Sequence, residues 1–171
     1  MKKQFLLIAC TLIFSVSAFS QSLTINSEKA IIDFNFVSEK TTGTVKGINA
    51  TIVFDAANLS ISDFHGTADV TTLSTNNKTR DSHLQEKDMF NAAKFPTMVF
   101  RSSSIEKTEK GYAMTGHFYI KAIMIETVIN FTYNNNTFIG KTIVYSNDFD
   151  VLSRKKREDS KVLIKITIPV L

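Results

Sequence analysis

From Val162 to Val170 every second residue is a branched aliphatic: Val162, Ile164, Ile166, Ile168 and Val170. A period of two puts alternate side chains on opposite faces, so this run predicts a strand with one buried and one wet face. The same period recurs in Ile32, Phe34 and Phe36, in Ile48, Ala50, Ile52 and Phe54, and in Ile129, Phe131 and Tyr133. Tyr112, Met114, Phe118 and Ile120 follow it too. Thr, Val, Ile and Phe dominate these runs, as pleated surfaces prefer. Short polar turns separate them: Asp55-Ala56-Ala57-Asn58, Glu109-Lys110-Gly111 and Asn134-Asn135-Asn136. The spacing predicts an all-β, mainly antiparallel domain of about eight or nine strands, a meandering barrel or sandwich.

The first twenty residues read differently. Lys2 and Lys3 precede an apolar run from Phe5 to Val16, and Ala18-Phe19-Ser20 precedes Gln21. That is the layout of a cleavable secretory signal peptide over residues 1–20, cut before Gln21, and the run is too short to span a bilayer. The remaining stretch, 21–171, has no repeat or Pro/Gly-rich linker and suits one domain. A periplasmic or secreted location follows. Removing the two lysines leaves 18 Lys+Arg against 16 Asp+Glu, a net charge of +2 and too weak to argue for nucleic acid. The single cysteine, Cys10, lies in the leader, where Leu7-Ile8-Ala9-Cys10 imitates a lipidation box with too short a core before it. A mature chain without cysteine has no disulfide, thiol nucleophile or zinc–thiolate site.

Between Thr75 and Phe95 the two-residue rhythm stops. Asn76 or Asn77 is placed to cap a short helix reaching Leu84 to Glu86, and Asp88 to cap a second turn, Met89 to Lys94, ended by Pro96. A helical insertion between barrel strands lids one end. Catalytic signatures are missing: there is no Gly-x-Ser-x-Gly elbow, phosphate-binding Gly-rich loop or His-Glu-x-x-His. His65 and His117 stand alone, without the converging ligands a metal needs, so no metal and no cofactor are expected. Ser153-Arg154-Lys155-Lys156-Arg157-Glu158-Asp159 reads first as a solvated loop. It is also suited to transient contact with an anionic membrane surface.

The insertion carries a specific pattern. Thr75 is followed by Arg80-Asp81-Ser82-His83-Leu84, then Asp88-Met89-Phe90-Asn91, then Lys94-Phe95-Pro96-Thr97-Met98-Val99-Phe100. This resembles the signature of the YceI-like family of polyisoprenoid-binding secreted barrels. Ile32-Asp33-Phe34, Gly47 with Ile52-Val53-Phe54-Asp55, Gly111 to Gly116 and Val162 to Leu171 extend the likeness across the mature chain. Two departures stand out: no histidine at Ser38 or Glu39, and no glycine after Lys121.

The resemblance implies a lipocalin-like, eight-stranded up-and-down β-barrel with a short helical insertion and an internal apolar channel. Its implied partner is a long-chain isoprenoid lipid, a polyprenyl phosphate or quinone, carried or stored outside the cytoplasm. The residues alone leave two interiors open, since a barrel this small is either filled by its side chains or wraps one slender ligand. Eleven of the 14 Phe lie beyond residue 20, with no Trp, and Phe lines a wall without demanding a hydrogen bond. Candidate channel residues are Phe34, Phe36, Ile52, Phe54, Leu84, Met89, Phe90, Phe100, Met114, Phe118, Phe131, Ile164 and Ile166. Arg80, Asp81 and His83 are candidates for the headgroup or lid. The competing readings are an enzyme acting on an apolar substrate through Asp81 or His83, and a filled barrel serving as an interaction protein. A homodimer is compatible with any of these.

Overall fold

A computed structural model of the chain describes residues 22–171. The leader, its cut before Gln21 and Cys10 lie outside the described residues. Ten strands run in chain order: β1 (Ser22–Leu23), β2 (Ile31–Phe36), β3 (Thr41–Val45), β4 (Asn49–Val53), β5 (Asp63–Asp69), β6 (Thr97–Thr108), β7 (Gly111–Ile120), β8 (Ile123–Asn134), β9 (Thr137–Tyr145) and β10 (Lys161–Pro169). Among the described residues one α-helix, α1 (Lys78–Leu84), lies between β5 and β6. All strands join one sheet in the order β1-β4-β5-β6-β7-β8-β9-β10-β2-β3, and every pairing is antiparallel.

Direction explains why ten strands build the eight-stranded barrel. Alternating antiparallel pairings from β4 round to β3 make β3 and β4 run the same way, and only Lys46, Gly47 and Ile48 lie between them. Three residues cannot reverse a chain and return it parallel, so β3 and β4 are halves of one bent strand. The bend falls at Gly47, whose φ of +63° favours a residue without Cβ. Its first half pairs with β2 and its second with β5. β1 and β2 are likewise two halves: β1 pairs with β4, and its continuation bridges Ile25 to Val170 beyond β10. Two bent strands and six unbroken ones close the wall and leave few sheet edges unpaired.

The wedge where β3 bends away from β5 is filled by the chain leading to α1. Thr44 and Ser74 exchange both backbone hydrogen bonds, at 2.8 and 2.9 Å. Asn77 caps α1 as its sequence predicts, its Oδ1 accepting from the Arg80 amide at 3.0 Å. The second helical turn predicted from Met89 to Lys94 does not form. Asn91 takes φ +51°, which breaks the helix, and the Phe90, Asn91 and Ala92 amides donate back to Leu84, Glu86 and Gln85. The segment folds onto α1 as successive turns.

Two apolar clusters fill the ends. Ile52, Phe64, Ile105, Met114, Ile129, Phe131, Phe138 and Val170 form the one at the floor, where β1 begins and β10 ends. Val45, Ile48, Ala68, Leu73 and Leu84 form the other beneath α1.

Candidate functional site: an apolar lumen with a polar rim

The inward side chains surround a cavity of about 420 Å³, within the range that buries most of a ligand's surface. Its lining runs from Phe131, Phe138 and Ile168 near the floor to Met89, Phe90 and Phe149 near α1. Below it the barrel is shut by rings. Phe54 packs on Phe64, Tyr112, Phe131, Tyr133 and Phe138 with centroids 5.1–6.1 Å apart, mostly edge to face, a geometry aromatic quadrupoles favour. Polar lining gathers at the opposite end, which carries Glu39, Thr41, Thr75, Arg80, His83 and Ser146. His65 and Thr67 on β5 also touch the cavity.

At the rim, one buried threonine organises the charges. Thr75 is 5% exposed. Its amide donates to Asp81 Oδ1 at 2.7 Å and its hydroxyl donates to the same oxygen, while the Ser74 hydroxyl donates to Oδ2 at 3.2 Å. Arg80 closes the knot from the other side, donating Nε to Thr75 Oγ1 at 2.8 Å and Nη2 to the Thr75 carbonyl at 3.1 Å. Burial pushes the Asp81 carboxyl upward, but bonds from the Thr75 hydroxyl and amide and the Ser74 hydroxyl, with the Arg80 charge, hold it below the usual carboxylate range. Arg80 uses two of the five donors of a guanidinium on Thr75. Arg80 also lines the cavity.

A second rim element comes from the β9–β10 connection. Phe149 and Val151, 2% and 3% exposed, tuck inward and line the cavity with Leu152. The charged part of this loop is partly tied down. Arg154 pairs with Glu39 and lies over the Phe36 ring, and Arg157 forms a two-pronged pair with Asp148 while stacking on Tyr145. Lys155 and Lys156 stay exposed and outside every ion pair among the described residues.

Of the predicted channel residues, Phe34, Phe36, Ile52, Leu84, Met89, Phe90, Phe100, Met114, Phe118, Phe131, Ile164 and Ile166 line the cavity. Phe54 does not: it follows the end of β4 and belongs to the floor. Arg80 and His83 reach the cavity, whereas Asp81 turns to Ser74 and Thr75 and is a structural anchor of the rim. The sequence reading gives Thr75 only as part of a pattern and takes Ser153 to Asp159 first as a solvated loop, without the apolar residues just before it. The apolar Phe149, Val151 and Leu152 were the available signal. His83, expected at the headgroup or lid, stands with Glu86 and Asp88, one ligand atom of each within 4.8 Å of the others. All three are exposed, and exposed groups gather this way commonly without an ion.

Comparison with known proteins bears on the whole domain. The YceI-like domain model matches residues 23–170. A UPF0312 protein of Photorhabdus laumondii is 31% identical over 88 residues, 52% of this chain and 46% of that protein. Protein YceI of Escherichia coli is 32% identical over 81 residues, 47% of this chain and 42% of the relative. The chain thus matches less than half the length of these curated relatives. Among solved structures, BcnA of Burkholderia cenocepacia superposes with a TM-score of 0.72 at 23% identity, covering 84% of this chain and 98% of its own. A polyisoprenoid binding domain from Saccharophagus degradans, implicated in plant cell wall breakdown, superposes at 0.58 with 8% identity, covering 87% and 96%. These two likenesses show a shared fold. With a family model spanning nearly every described residue, the chain belongs to the YceI-like family.

Proposed function

We propose that this protein binds a long-chain isoprenoid-type lipid, a polyprenyl phosphate or quinone, with its tail in the lumen and its head at the rim. The observation that carries the reading is the lopsided polarity of the cavity. It is apolar along its length, closed below by rings and polar mainly where α1 and the β9–β10 loop meet. Such a cavity complements a molecule with one long apolar tail and one polar end. Each buried CH₂ contributes roughly 0.8 kcal/mol, so a tail of many carbons crosses water only inside a sheath. The family and the polyisoprenoid-binding neighbour support the same reading.

We read the chain as a binding protein rather than an enzyme, because Asp81 spends both carboxylate oxygens on Ser74 and Thr75. Arg80 and His83 are then headgroup residues, the former with a planar fork suited to phosphate oxygens. Read as a cleavable leader, residues 1–20 support a carrier working in the periplasm or outside the cell. A second copy would pair through the outer face, where exposed Val128, Ile143 and Leu163 lie on β8, β9 and β10.

Solvent extraction of the purified protein followed by mass spectrometry is expected to release an isoprenoid lipid, and delipidated protein to take up added quinone or polyprenyl phosphate. Arg80→Ala is expected to weaken the phosphate-headed lipid more than the quinone. Protein that yields no lipid and takes up neither compound would end the carrier reading.

A further inference from the structure

The glycines at positions 43 and 116 are not explained by their own backbone angles. Positive φ occurs at Gly47 and Gly111, whereas Gly43 and Gly116 sit in ordinary extended segments of β3 and β7. What sets them apart is what a side chain would strike. A Cβ on Gly43 would stand 2.4 Å from Cζ and 2.8 Å from Cε1 of Phe34. One on Gly116 would stand 2.5 Å from Cζ and 2.9 Å from Cε2 of Phe100. Carbon atoms rest at about 3.5–4.0 Å, so each ring, together with the Ser74 or Arg101 carbonyl oxygen at 2.4 Å, already fills the place of the missing methyl. Phe34 faces Gly43 directly across β2 and β3, and Phe100 reaches diagonally toward Gly116, which pairs with Ser102. The two glycines that line the lumen differ. A Cβ on Gly66 meets nothing nearer than 3.5 Å, and one on Gly140 meets only the Ile129 methyl inside 3.0 Å.

We propose that Gly43 and Gly116 are seats for the rings of Phe34 and Phe100 and that these seats set the bore of the lumen. Both rings line the cavity from different stretches of the wall. Resting against a glycine, each ring leaves the axis clear; pushed off, it has the cavity to move into. The seats thereby determine how long a chain passes toward the floor, so they name the specificity element of the carrier reading and rest on it. Close packing of rings on strand glycines is a general device of curved sheets, here turned to keeping an interior hollow.

The test combines Gly43→Ala, Gly116→Ala and the control Lys107→Ala, an exposed β6 position outside the lumen lining, with a series of prenols: farnesol, geranylgeraniol and solanesol. A Cβ at Gly43 or Gly116 would also lie 2.4 Å from the Ser74 or Arg101 carbonyl oxygen, so ring-side variants are needed beside them. Crystal structures of the glycine variants are expected to show Phe34 or Phe100 swung into the cavity. Solanesol affinity is expected to fall about tenfold or more, the usual effect of overpacking, with farnesol and the Lys107→Ala control little changed. Phe100→Leu in the Gly116→Ala background is expected to restore solanesol uptake, and Phe100→Leu alone to admit bulkier chains than the wild type. Rings that stay on the wall, prenols that all weaken alike, or a Phe100→Leu variant with unchanged preference would overturn the proposal. A wild type that takes up no prenol sinks the carrier reading and the chain-length selection together, while the ring positions still decide whether the glycines are seats.

Discussion

Asp81 shows how one carboxylate supports a rim without touching what the rim surrounds. It gathers the Thr75 amide and hydroxyl and the Ser74 hydroxyl, and Ser74 in turn bonds Thr44 across the wedge in the wall. Replacing it by Asn removes the charge from these bonds. Asp81→Asn is expected to destabilise by about 1–3 kcal/mol at neutral pH, the usual range for bonds to a charged acceptor. Because the folded value is depressed, this contribution is present above the unfolded value of 3.8 and is lost as pH falls through the folded one. Denaturant melts should therefore show wild type and variant converging below pH 3.8. A gap independent of pH would assign the effect to shape rather than charge. The sequence marks Arg80 and Asp81 as a notable pair but does not reveal that both act through Thr75. That link depends on a turn from Ser74 to Asn77 with no periodic signature.

Among the elements, the β7–β8 hairpin carries visible strain. Ile120 and Ile123 are paired, so Lys121 and Ala122 make a two-residue turn with φ of +51° and +65°. Such turns prefer Asn and Gly, and an ordinary residue there costs about 1–2 kcal/mol. Ala122→Gly is expected to stabilise by about 1 kcal/mol and raise Tm by about 2–4 °C. A thermal melt showing no rise would mean that the turn is held by its surroundings, for instance by Lys121 donating to the Asp150 carbonyl at 2.6 Å. The β8–β9 turn, by contrast, uses Asn135 and Asn136 at φ of +48° and +54° and was legible as Asn134-Asn135-Asn136. Long strands were legible because their period persists over many residues. The turns from Met89 to Lys94 were misread as helix because Asp88 and Pro96 look like helix boundaries, while the left-handed Asn91 between them left no periodic trace.

At the scale of the molecule, the expectation of eight strands and the observation of ten describe one barrel, since two strands each bend and change partner. Sequence periodicity could count the halves but not join them, because joining depends on direction and pairing. The hollow interior was likewise undecidable from alternation: the same inward Phe residues could have met across the axis. Opposite the floor, in a loop whose arginines are engaged by Glu39 and Asp148, Lys155 and Lys156 are the basic side chains outside any ion pair among the described residues. Each basic residue near an anionic surface is worth about 1 kcal/mol. The double variant Lys155→Glu, Lys156→Glu is therefore expected to lower binding to phosphatidylserine vesicles by about tenfold or more in co-sedimentation. Equal sedimentation of variant and wild type would remove the membrane role from this loop. The two described chain ends meet far from that loop, with the Leu171 amide donating to the Thr24 carbonyl at 2.9 Å and Val170 packed into the floor. Anything joined to the carboxyl end, a dye, an affinity handle or a solid support, therefore hangs beneath the barrel. A molecule immobilised there would present its entrance outward, like a cup fixed by its base.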